Sequence, residues 1–163
     1  MKWIKKFFVS LQLKKNKGIT EENWLKSMDD IKSIHILADS YEELEIAEKT
    51  IQNEWPAKLE IQTVFYTDKS SEEKGFSSKG FSLFGKPKDH LQDFLKSPAD
   101  LFISTLTDFN DFQKLVVNQK VARCKIGFYD QSASNQFDLM LAKENTDLDL
   151  NIKNLLKYLK KII

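Results

Sequence analysis

Residues 99–129, ADLFISTLTDFNDFQKLVVNQKVARCKIGFY, decide the fold. ADLFISTL is almost continuously apolar, as befits a strand covered on both faces of a parallel sheet. In TDFNDFQKLVVNQK, Phe109, Phe112, Leu115 and Val116 recur at helical spacing and form one apolar face, with Thr107 and Asp108 as natural caps. ARCKIGFY is again a strand. A strand, a crossover helix and a parallel strand form a right-handed βαβ unit. The expected fold class is therefore α/β, a three-layer Rossmann-like sheet.

Working outward from this unit, KSIHILAD (32–39) reads as the first strand. Ser40, Tyr41, Glu42 and Glu43 form a capping-box pattern opening a helix along Tyr41, Leu44, Ala47, Ile51 and Trp55, which Pro56 ends. KLEIQTVFY (58–66) is a second strand, rich in β-branched and aromatic residues. LQDFLKS (91–97) reads as a short helix leading into the central unit. After Tyr129, DQSASNQ is too short for a crossover helix, so FDLMLA (137–142) is expected to return as an antiparallel edge strand. Leu148, Ile152, Leu155, Leu156, Leu159 and Ile162 mark a closing amphipathic helix. The implied strand order is 2-1-3-4-5 with strand 5 antiparallel. Residues 1–30 form a helical extension and residues 31–163 a single α/β domain.

That order places a crevice between strands 1 and 3, at their carboxyl ends. Asp39, Ser40, Thr107 and Asp108 border it, and Asp68 begins a loop that should emerge nearby. The turn after strand 1 lacks the glycines of a dinucleotide site, and Glu42 and Glu43 would repel a phosphate there. No P-loop pattern occurs elsewhere, so no nucleotide cofactor is expected. Asp39, Asp68 and Asp108 could converge on magnesium, although aspartates after strands are ordinary helix caps, and no metal centre is expected. His35, between Ile34 and Ile36 in a strand, reads as a structural histidine. Cys124 lies within a strand, where a buried apolar role is the plainer account. As the single cysteine, it excludes an internal disulfide. His90 beside Asp89 has no placed nucleophile, so no catalytic residue is assigned.

Residues 68–90 make a long loop. Phe76, Phe81 and Phe84 are interleaved with lysines, among them Lys86. Such interleaving can stack on bases and pair with phosphates, or the rings can pin the loop to the body as a lid over the crevice.

Charge is uneven along the chain. Residues 1–18 hold six lysines and no acid, leaving the remainder five units negative against a net charge of +1. Residues 2–15 read as an amphipathic helix with Trp3, Ile4, Phe7, Phe8 and Leu11 on one stripe and Lys2, Lys5, Lys6, Lys14 and Lys15 around it. Thr20 caps a second short helix with Trp24, Leu25 and Met28 on its apolar side. Burying each large side chain of the first stripe is worth about 1.5–3 kcal/mol, so the stripe needs a dry surface. That surface is the chain's own body, a larger protein or ribonucleoprotein assembly, or an anionic membrane, where each lysine adds about 1 kcal/mol. No segment approaches the ~20 apolar residues that span a bilayer, and a cytoplasmic location is expected. Nothing points to sequence-specific DNA binding.

The segments ADLFIS, KIGFYD and FDLML, together with Phe84-Gly85-Lys86, resemble a small bacterial family of uncharacterised α/β proteins, a domain of unknown function. The likeness covers most of the chain from Ile31 onward and implies the fold without an activity. ADLFIS and KIGF are also similar, over some thirty residues, to the first half of heptosyltransferase-like glycosyltransferases. The second nucleotide-sugar domain of those enzymes has no counterpart here, so their activity is not carried over. The expected function is that of a non-enzymatic adaptor or binding protein presenting its basic amphipathic terminus to a larger partner. The alternatives are a small enzyme or ligand-binding domain using the crevice, and a peripheral membrane protein.

Overall fold

The computed structural model describes residues 24–69, 73–144 and 146–163. Six strands form one sheet: β1 (Ser33–Ala38), β2 (Glu60–Tyr66), β3 (Gly75–Phe76), β4 (Ala99–Ser104), β5 (Ala122–Phe128) and β6 (Leu139–Leu141). Their order is β3-β2-β1-β4-β5-β6, with every pair parallel. Among the described residues four α-helices accompany them: α1 (Tyr41–Glu54), α2 (Asp89–Lys96), α3 (Asp111–Gln119) and α4 (Leu148–Ile162).

The unbroken apolar runs lie in the middle of the sheet, where both faces are covered. β4 buries five of its six residues, and β1 does the same. From β1 the chain winds through α1 to β2, and from β4 it winds through α3 to β5 on the opposite side. Crossovers of one hand that travel in opposite directions put their helices on opposite faces. Ile34, Ile36, Leu101, Ile103 and Cys124 accordingly pack with Ala47 and Ile51 of α1 and with Ile152, Leu155 and Leu159 of α4. Leu37, Phe102 and Val64 pack instead with Leu91 and Phe94 of α2 and Phe112, Leu115 and Val116 of α3. At the amino ends of the strands, Asp100 accepts the Lys32 and Ser33 N–H groups at 2.8 and 3.0 Å and meets Arg123 at 3.3 Å.

The strand arrangement corrects the five-strand reading in two ways. β3, a two-residue strand within the supposed loop, extends the sheet beyond β2. The last strand, β6, runs parallel to β5, with Ile126 opposite Leu139 and Phe128 opposite Leu141. The segment between them was judged too short to cross over, yet Gln131–Gln136 forms a 3-10 helix that does so. The reason is the register. The chain need only back up by two residue positions, about 7 Å at the rise of a strand, before pairing begins. Phe137 closes this crossover over Gly127, where a Cβ would come within 3.0 Å of its ring. A side chain at Gly127 would require the Phe137 ring to give way by a few tenths of an ångström.

Helix starts also differ from the sequence reading. α3 begins after Asn110, whose side chain and that of Gln113 form the capping box, so Thr107 and Asp108 precede the cap. Ser40 does cap α1, its Oγ accepting the Glu43 N–H at 3.2 Å. The Glu43 carboxylate, expected to complete that box, goes elsewhere. In the described part of the extension, Met28–Asp30 is a 3-10 turn in place of the second helix. Leu25 is nonetheless fully buried among the α4-side residues.

Candidate functional site

The carboxyl ends of β1 and β4 are the point where the strand order reverses, the natural crevice of such a sheet. Beyond the last β1–β4 pair, the Thr105 N–H donates to the Leu37 carbonyl at 3.0 Å and keeps the two strand ends together. This positions the buried Thr105 hydroxyl between two elements. It accepts the Asp39 N–H at 3.1 Å and donates to Glu43 Oε2 at 2.8 Å. The other Glu43 oxygen lies 3.5 Å from Lys143 Nζ, which also sits 5.4 Å from the centre of the Phe128 ring. The crevice is therefore spanned by a chain of contacts from Asp39 through Thr105 and Glu43 to Lys143.

Asp39 and Asp108, both exposed, lie close enough for their charges to interact. Partial burial, then the neighbouring Glu43, raises the Asp39 carboxyl above its ordinary range; Asp108 adds to the rise and Lys143 opposes it. Ser40 is engaged as the α1 cap, and Thr107 is exposed beyond β4. Asp68 is not brought into this group; its charge acts on Tyr66, whose phenol is raised by burial first and Asp68 second. Among the described residues no three His, Cys, Asp or Glu side chains are grouped so as to hold a metal ion. The amino terminus of α1, where a phosphate would seek N–H donors, has the Glu43 carboxylate beside it.

The described part of the 68–90 segment, from Glu73 onward, packs onto the body through its buried rings. Phe76 and Phe81 are buried, and their rings join Tyr66 and Phe112 in one aromatic cluster, with Phe81 and Phe112 5.2 Å apart. Buried rings cannot stack on bases. Phe84 and Lys86 lie at an exposed tip where Gly85 takes φ 74°, a left-handed turn that suits glycine. The expectations for Lys2, Trp3, Lys5, Lys6, Phe7, Phe8, Lys14 and Lys15, and for the cap at Thr20, fall outside the described residues.

Sequence reasoning did not find a buried basic cluster behind α2. The Lys120 ammonium, 1 % exposed, donates to the Phe94 carbonyl at 2.6 Å and to the Ser97 carbonyl, and lies 4.6 Å from the Phe94 ring centre. It thereby satisfies carbonyls at the carboxyl end of α2, the end that favours a cation. Burial, then repulsion from Lys125, lowers its pKa to about 7. His35, fully buried, also lies against Phe94, with ring centres 5.4 Å apart. Neither of its nitrogens has a hydrogen-bond partner among the described residues. Burial, then Lys120, lowers its pKa to about 4, so it is neutral at physiological pH. Only the unusual lysine at the turn after an apolar helix hinted at this cluster. Thr105 and Lys143 left no such trace, because a long-range partner has no sequence spacing, and Glu43 was legible only as a repulsive charge at the crevice.

Among the described residues no helix is long and apolar enough to cross a membrane. No curated protein and no solved structure matches the chain. A family model does match, over residues 2–162, and its description is a family of unknown function, DUF6913. The chain belongs to that family.

Proposed function

We propose that this protein is a non-enzymatic binding protein that presents its basic, amphipathic amino terminus to a larger assembly, a protein complex or ribonucleoprotein with an anionic surface. The observation that carries the reading is the division of charge: six lysines without an acid in residues 1–18, followed by a body five units negative. Such a body is on balance repelled by an anionic partner, so contact is directed to residues 1–18, where six lysines stand without an acid. The crevice adds support, because the Glu43 carboxylate, held there by Thr105 and Lys143, disfavours an anionic ligand at the start of α1.

The test is sedimentation of the full chain from native lysate through a density gradient at rising salt. Wild type should travel with a heavy fraction at low salt and leave it as salt screens the lysines. Replacing Lys2, Lys5, Lys6, Lys14 and Lys15 by glutamine should release it at all salt concentrations. If the wild-type chain stays at the top of the gradient, or the variant remains heavy, the proposal fails. Flotation on anionic vesicles under the same conditions would move the assignment to a membrane surface.

A second reading, a small-ligand site in the crevice, draws on the raised Asp39 carboxyl beside Lys143 and Glu43. A ligand that binds only the folded form raises its melting temperature. Magnesium, nucleotides and sugar phosphates that leave the melting temperature unchanged would remove this reading.

A further inference from the structure

Among the described residues the outer edge of the sheet is only partly paired. On β2 the Phe65 N–H donates to the Lys74 carbonyl at 3.1 Å and the next outward group, the Thr67 N–H, donates to Phe76 at 2.8 Å. The Glu60 N–H donates the other way, to Lys32. Alternate residues of a strand aim both backbone groups to the same side, so Ile61 and Thr63 also point outward. Among the described residues no strand lies opposite them, because β3 pairs only with Phe65 and Tyr66. What remains beside Ile61–Val64 is a cavity of about 540 Å³, walled by Glu73, Lys74, His90, Asp93 and Phe94.

We propose that this edge receives an extended, lysine- or arginine-bearing segment of a partner polypeptide, added as a further strand beside β2. Two features select that occupant. Outward N–H and C=O groups repeating along an edge are complemented by another backbone, the basis of strand addition. The walls favour positive charge: Glu73 and Asp93 have no ion pair among the described residues, whereas Lys74 lies 3.9 Å from Glu48 and His90 Nε2 sits 3.0 Å from the Gly75 carbonyl. Phe94 gives the occupant's inward side chains an apolar floor. The inference goes beyond the function proposed above and uses none of residues 1–18, so either can fail alone.

The test uses the full chain, labelled with ¹⁵N, and a short capped peptide of alternating lysine and valine. On titration to about 1 mM, the Ile61 and Thr63 amides should shift and become protected from hydrogen exchange, as expected for weak binding. The same peptide N-methylated at alternate nitrogens should bind at least about tenfold more weakly, since its backbone bonds are lost. Replacing Glu73 and Asp93 by lysine, both exposed, should weaken binding by a similar factor while leaving the fold intact. Unmoved Ile61 and Thr63 amides, or equal binding of the methylated peptide, would overturn the proposal. So would protection of these amides before any peptide is added, which would mean that the edge is already covered by another part of the chain or by a second copy.

Discussion

Replacing Lys120 by methionine tests the account of the buried cluster most directly. The ammonium is taken out of water to serve two carbonyls at the end of α2, and its pKa falls from 10.5 to about 7. Between those values the unfolded chain holds the proton and the folded chain releases it. The folded protein therefore carries the full penalty below pH 7 and sheds it as pH rises toward 10.5. Integrating over that window, stability from this one group should increase by about 2 kcal/mol between pH 7 and pH 9. At pH 7 the variant escapes a penalty of about 4 kcal/mol but leaves two buried acceptors unserved, at about 1–3 kcal/mol each. The net change at a single pH is a small difference between large terms, so the slope with pH is the useful quantity. Urea unfolding of both proteins at pH 7, 8 and 9 measures it by linear extrapolation. Wild type should gain about 2 kcal/mol relative to the variant over that range. Parallel pH profiles would refute the reasoning, since they would mean that Lys120 keeps its proton in the folded state.

Two further outcomes follow from the same core. His35 is neutral when folded and has a pKa lowered from 6.5 to about 4, so stability should fall as pH drops through that window, by up to about 3 kcal/mol; His35→Leu should remove this component, measured as the difference between the two acid-unfolding profiles. Cys124 is fully buried, and burial, then Asp138, pushes its thiol up to about 12. A thiol-specific reagent should leave the native protein unlabelled at neutral pH and react fully in denaturant, and rapid native labelling would show that β5 opens readily.

The sequence was legible wherever a residue's role depends on its neighbours in the chain. The apolar run ADLFIS is a β-strand because both its faces are covered, and the spacing of Leu148, Ile152, Leu155 and Leu159 is a helix because that face needs a partner. Ser40 was readable as a cap for the same reason, since its bond spans only three residues. The candidate site was less legible. Asp39 and Asp108 were placed near one another, but Thr105, Glu43 and Lys143, which tie the crevice together, come from three distant segments.

Periodicity in the sequence by itself determined that this chain forms a layered α/β sheet, because the pattern of apolar side chains reports which faces must leave water. It carried no information on strand direction across a register offset of only two positions, so β6 pairs parallel through a short 3-10 crossover that no spacing rule anticipated. Tertiary structure alone decided that Lys120 and His35 are buried and that, among the described residues, Ile61 and Thr63 lack a neighbouring strand. Dehydration of a charge and pairing of a strand edge both depend on what the rest of the fold brings alongside, and neither is written in local sequence.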